Sequence, residues 1–177
     1  LLQLSNVSNH SFSETVYFDV IRKKTAALFA ACTEAAAYSV GVSEEEVKLA
    51  RLLGEYIGIC FQIKDDIFDY FDSKEIGKPT GNDMLEGKLT LPVLYALNRA
   101  NDNQATEIAL KVKEGTATLA EIARLIAFTK ENGGIEYAVR TMNAYKQKAF
   151  GLLASLPDSA ICVALRSYLD YVVDREK

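Results

Sequence analysis

The stretch from Ser43 to about Phe71 constrains the fold most. It opens on Ser43-x-x-Glu46, a capping box in which hydroxyl and carboxylate satisfy each other's backbone amides, and it contains no proline. Val47, Leu49, Leu52, Leu53, Ile57, Ile59, Phe61, Ile63, Ile67 and Phe68 lie around it on nearly all sides. A helix that is apolar all round is buried, so other helices must cover it. The rest of the chain supplies them. Ser11-x-x-Glu14 opens a helix running to Val40 before Gly41, and Thr118-x-x-Glu121 opens another that ends at Asn132-Gly133-Gly134. Ile135, Ala138, Met142, Tyr145, Ala149, Leu152 and Leu156 form a stripe at helical spacing. Thr90 caps a segment over 91–98 with Pro92 in its first turn, a short helix covers 104–113, and Pro157-Asp158 introduces a last helix to about Asp174. Alternating runs of the kind that make strands are missing. The chain has 177 residues, 49% hydrophobic, enough for one core. The expectation is an all-α bundle of mostly antiparallel helices forming a single domain over 1–177.

The long helix ends in acid. Asp65, Asp66, Asp69 and Asp72 fall within two turns, and a step of about 100° per residue brings Asp65, Asp69 and Asp72 close to one line with Gln62. Like charges at this spacing repel, and the C-terminal end of a helix disfavours anions. Lys64 alone does not balance them. A hard divalent ion such as Mg²⁺, with water and phosphate oxygens, would; a solvated acidic face is the plain alternative. Gly58, on the same face, either leaves room for a ligand or lets a neighbouring helix approach.

A long loop follows, from Lys74 to Lys88, with Gly77, Gly81, Gly87, Lys78, Lys88 and Asp83. Loops of this length in compact domains are functional or disordered, and lysines here suit anions brought against metal-bound carboxylates. Upstream, Lys24 falls on the seam of Tyr17, Ile21, Leu28 and Cys32, where a core residue is expected. An inward ammonium needs an anion.

Taken in order, FQIKDDIFD, GKPTGND and GKLTLPVLYAL, with Lys24-Thr25 before them, resemble the second aspartate-rich region and the Lys-Thr motif of the trans-isoprenyl diphosphate synthases, or polyprenyl synthetases. The likeness covers essentially the whole chain. It implies the isoprenoid-synthase helical fold with an N-terminal part missing, and a reaction in which an allylic diphosphate ionises, the double bond of isopentenyl diphosphate attacks, and a proton leaves. It also implies the site. Lys24, Thr25 and Lys78 would hold the allylic diphosphate. Asp65 would ligate Mg²⁺, with Asp66 and Asp69 acting directly or through water. Phe61 and Gln62 would line the site, and Lys88 and Asp83 belong to the same loop pattern. The basic ending Arg175-Glu176-Lys177 resembles a terminus that lies near the second substrate's diphosphate. The first aspartate-rich motif is absent, since Glu14 and Asp19 are the only acids before Lys24; the chain resembles a C-terminal half or somewhat more and is expected to be inactive alone. Its ending is most similar to bacterial medium- to long-chain members, the octaprenyl type among them.

Other classes fit less well. Net charge is −4 with no basic stripe, against nucleic-acid binding. Cys32, Cys60 and Cys162 are scattered in apolar helical surroundings and read as buried thiols of a reducing compartment; a cytoplasmic protein without a membrane span or signal peptide is expected. A homodimer or a rearranged bundle is expected, because loss of covering helices would bare apolar faces of the 43–71 helix. A non-catalytic partner subunit has no need of the acids and lysines. A class I terpene cyclase would carry a mixed Asn/Asp–Ser/Thr–Glu motif in place of this one. A plain interaction module leaves Lys24 and the acids unexplained.

Overall fold

A computed structural model describes residues 12–71, 80–156 and 159–176. Among these residues the structure is all helix and turn. The elements are α1 (Glu14–Ile21), a π-helical turn (Arg22–Ala26), α2 (Ala27–Ser39), α3 (Glu44–Phe68), α4 (Asn82–Leu85), α5 (Leu91–Ala100), α6 (Asn103–Glu114), α7 (Leu119–Glu131), α8 (Gly134–Ala154) and α9 (Ala160–Asp174). No helix of the described residues is long and apolar enough to cross a membrane.

The described residues group into two compact units. The first takes the described residues up to Val20 and those from Asp65 to Val139; the second takes Ile21–Lys64 and Arg140–Glu176.

In the first unit, α5 packs on α7 and α6 on α7, with the short α4 against α6 and α7. Tyr70, Met84, Val93, Leu97, Ile108, Val112, Ile122 and Leu125 form its core. Thr118 caps α7 by accepting from the Glu121 amide, while the Glu121 carboxylate accepts from the Thr118 amide at 2.8 Å and from Lys111 at 2.7 Å. These bonds lower the Glu121 pKa from 4.5 to about 2, the Lys111 contact being the largest cause. The folded carboxyl holds its proton less tightly than the unfolded one. Its stabilising contribution is therefore complete above the ordinary glutamate range and is lost as pH falls from about 4.5 towards 2. Glu121→Gln should flatten the acid limb of stability in that window, read by denaturant melts at successive pH values; an unchanged limb refutes the assignment.

Thr90 stands at the start of α5 as expected but makes no side-chain cap; its hydroxyl lies 3.3 Å from the buried Tyr70 hydroxyl instead. Gly81 precedes α4 with φ +80°, and a Cβ there would stand 2.7 Å from Ile122 Cγ2. Conformation and space both require glycine at that position.

In the second unit, Leu53, Ile57, Ile59, Cys60 and Ile63 of α3 are buried with Met142, Ala149 and Leu153 of α8 and Leu169, Val172 and Val173 of α9. The Ser43–Glu46 box caps α3 as expected, with both reciprocal bonds present. The Cys60 thiol donates to Met142 O, and burial pushes its pKa up to about 12. The question posed by Gly58 is settled: a Cβ there would lie 2.5 Å from Ala26 Cα, so the glycine serves close helix packing.

The largest departure from the sequence reading lies at the π turn. One extra residue per turn shifts every later side chain by about 100°. The buried line of Tyr17 and Ile21 therefore continues into Ala26 and Ala30, and not into Lys24, Leu28 and Cys32. Lys24, Leu28 and Cys32 are exposed, which corrects both the inward lysine and the buried Cys32. Exposure of apolar residues also falls elsewhere than expected. It is greatest on α2 (Leu28, Tyr38), on α9 (Ile161, Val163, Tyr171) and at Leu119 of α7, while within 43–71 it is confined to Leu49 and Phe71.

Candidate active site

The π turn that misplaces the seam also places the Lys-Thr pair. Because the turn rotates the chain locally, Ala26 faces inwards, Lys24 projects outwards, and Thr25 stays half-buried. Thr25 Oγ1 donates to Gln62 Oε1 at 2.6 Å, bringing together two predicted site residues from α3 and the turn. Beside them, the rings of Phe29 and Phe61 lie 5.5 Å apart, and the Arg175 guanidinium stacks over Phe61 at 4.2 Å while donating to Phe61 O. The basic ending thus reaches the Phe-Gln pair, as far as Arg175; Lys177 lies outside the described residues. Lys64 sits in the same setting. Burial first, and then the nearby Arg175 charge, lower its pKa, with Asp174 and Glu176 opposing.

The acids are held in the first unit. Asp66 is 3% exposed, and its Oδ2 accepts from the Tyr17 hydroxyl at 2.5 Å. Burial, then the Asp66 charge, raise the Tyr17 pKa well above the ordinary tyrosine value, so this hydroxyl remains a donor. Asp69 caps the short α4: Oδ1 accepts from the Asn82 amide and Oδ2 from the Asp83 amide, each at 3.0 Å, and its carbonyl accepts from the Gly81 amide. Asp65 is half-buried on α3. Lys88 is bonded to Glu86 and lies 3.7 Å from Asp83 Oδ1, and the Glu86 bond is the first cause of its raised pKa. Lys78 lies outside the described residues, as does Asp72.

Two interactions escaped the sequence reading. Tyr17 looked like a core residue, although a buried tyrosine hydroxyl seeks a partner. Asp69 looked like a member of an acidic row, yet a carboxylate facing the amides of a following turn is a cap in waiting.

The donor chemistry suits Mg²⁺. That ion takes one or two carboxylates and fills its octahedral shell with water and phosphate oxygens instead of a closed protein cage. Among the described residues no three acidic, histidine or cysteine side chains form such a cage. The carboxylate of Asp65 fits the open arrangement, with Asp66 and Asp69 fixed beside it in sequence.

Comparison with known proteins follows the same line. The family model described as Polyprenyl synthetase matches residues 1–129. An octaprenyl diphosphate synthase of Haemophilus influenzae is 37% identical over 98% of this chain and 53% of its own length. The crystal structure of geranylgeranyl pyrophosphate synthase from Bacteroides thetaiotaomicron is 80% identical, with TM-score 0.95, covering 98% of this chain and 58% of that one. That of polyprenyl synthase from Caulobacter crescentus, complexed with calcium and isoprenyl diphosphate, is 34% identical with TM-score 0.87, covering 98% and 53%. The chain spans about half the length of the curated relatives it matches.

Proposed function

We propose that this chain, which belongs to the polyprenyl synthetase family, serves in a trans-prenyl diphosphate synthase that joins isopentenyl diphosphate to an allylic diphosphate. The observation that carries the reading is the Thr25–Gln62 hydrogen bond. It joins the Lys-Thr and Phe-Gln pairs, which neither composition nor a shared core requires to meet, and it leaves Lys24 exposed beside them.

The residues divide the task. Lys24 offers a charged donor to a diphosphate, and Thr25 is oriented by Gln62. Beyond Lys24 the exposed face of α2 continues through Leu28, Cys32 and Ala35. A cationic head followed by an apolar strip matches an amphipathic prenyl diphosphate. Asp65 would hold Mg²⁺, with Asp66 and Asp69 in support; the ion supplies electrostatic stabilisation of a leaving diphosphate. Lys78 and Lys88 complete the anion-binding set in this proposal, and Phe61 borders the prenyl chain. No nucleophilic side chain is needed, because the leaving group departs as its charge is neutralised. A cytoplasmic homodimer belongs to the same reading.

Geranyl diphosphate binding, followed by calorimetry with Mg²⁺ and with chelator, tests it. Wild type should bind only with the metal. Lys24→Gln removes one charge-assisted hydrogen bond of about 1.5–3 kcal/mol, so affinity should fall roughly 10- to 100-fold. Its melting temperature should stay put, since Lys24 is exposed. Metal-independent binding, or full affinity in Lys24→Gln, would overturn the proposal.

A further inference from the structure

The geometry points to Tyr17 as a positioning residue for the acidic motif, acting through Asp66 across 49 positions of sequence. The inference rests on the functional reading above and adds to it a residue outside the motif.

Asp66 is almost fully buried and lies near the C-terminal end of α3, with Asp65 and Asp69 close in sequence. Each circumstance disfavours an anion there. A buried carboxylate persists only when its oxygens are paired, and Tyr17 supplies a neutral donor that adds no opposite charge. The pairing is directional. Tyr17 is itself buried, and its ring meets Phe18 edge-on at 5.3 Å, so the hydroxyl is held by packing and not by a flexible stem. One turn beyond Asp66, the buried Tyr70 directs its hydroxyl to Thr90 and not to the acid. Asp66 therefore has one oxygen fixed at a known point, and any action towards a neighbouring ion or its waters must use the carboxylate in that orientation. An outer partner of this kind sets the direction of a ligand group, and removing it commonly costs about tenfold or more in metal affinity.

The test is a double-mutant cycle in which the measured quantity is affinity for Mg²⁺ with inorganic diphosphate, read by calorimetry on the folded chain. Tyr17→Phe keeps the ring and deletes the donor; affinity should fall about tenfold. In an Asp66→Asn background the same substitution should change affinity less than twofold, because Tyr17 has lost the group it acts through. Asp66→Glu keeps the tyrosine and the charge but moves the carboxylate by one methylene, so it should match the loss in Tyr17→Phe even if that variant proves too unstable to titrate. A Tyr17→Phe protein that melts earlier but binds as wild type does would make Tyr17 a packing residue only and overturn the proposal. Equal Tyr17→Phe losses in both backgrounds would also overturn it, as would wild-type affinity in Asp66→Glu. If wild type shows no metal-dependent diphosphate binding, the functional reading itself fails and the role of Tyr17 falls with it.

Discussion

Asp65→Ala should slow prenyl transfer by roughly 10²–10³, about 3–4 kcal/mol of transition-state stabilisation, when introduced into a synthase of the relatives' full length that carries this sequence. Asp65 and Asp69 are both half-buried and Asp66 is buried; Asp66 accepts from Tyr17 and Asp69 from the amides that start α4. Without Asp65, charge developing on the departing diphosphate loses part of its stabilisation. The fold should hardly notice. Removing one acid from a row of like charges relieves repulsion, so metal-free stability should stay equal or rise slightly. Activity and stability then move in opposite directions. Asp69→Ala gives the contrast: it deletes a cap worth about 1 kcal/mol, so it should lower stability as well as activity. The measurements are steady-state elongation of an allylic diphosphate and thermal melting in chelator. Unchanged turnover in Asp65→Ala, or a loss that tracks unfolding, refutes the assignment.

What could be read from the sequence was whatever is local. The Ser43–Glu46 and Thr118–Glu121 boxes fixed helix starts because both partners lie within four residues. The all-round apolar pattern of 43–68 correctly marked a covered helix, and Gly133 with φ +73° ends α7 where the glycine pair suggested. Errors came from register. The seam Tyr17–Ile21–Lys24–Leu28–Cys32 obeys a regular helical period, but the π turn adds a residue that no composition rule announces. Its cause is tertiary: Gly58 admits Ala26 at backbone distance, and Ala26 can face α3 only if the turn widens. The site was legible as a set of residues, less so as geometry. Asp66 and Asp69 spend oxygens on Tyr17 and on amides of the next turn, and such choices depend on what the fold brings near. Lys78, central to the resemblance, lies outside the described residues.

Gly58→Val should destabilise the protein by about 3 kcal/mol and impair ligand binding with it. Intrinsic propensity argues the other way, since a glycine inside a helix costs roughly 1 kcal/mol relative to alanine. Packing decides the sign. A Cβ at residue 58 would meet Ala26 Cα at 2.5 Å, Ala26 Cβ at 3.0 Å and the Phe29 ring at 3.1 Å. The first obstacle is backbone, which cannot rotate away as a side chain does. α3 and the π turn must then separate, and Thr25 Oγ1, bonded to Gln62 one turn beyond Gly58, is carried away from its partner. Gly58→Ala should fall between wild type and valine, because the same clash outweighs the propensity gain. A domain of this size loses roughly 2–4 °C per kcal/mol, so the valine variant should melt about 10 °C lower. Exposed Gly151, with nothing within 4 Å of its Cβ position, supplies the control: Gly151→Ala should melt at or above the wild-type temperature. If Gly58→Ala gained stability to the same extent as Gly151→Ala, residue 58 would not be a point of helix contact, and the account of why the π turn exists would be wrong.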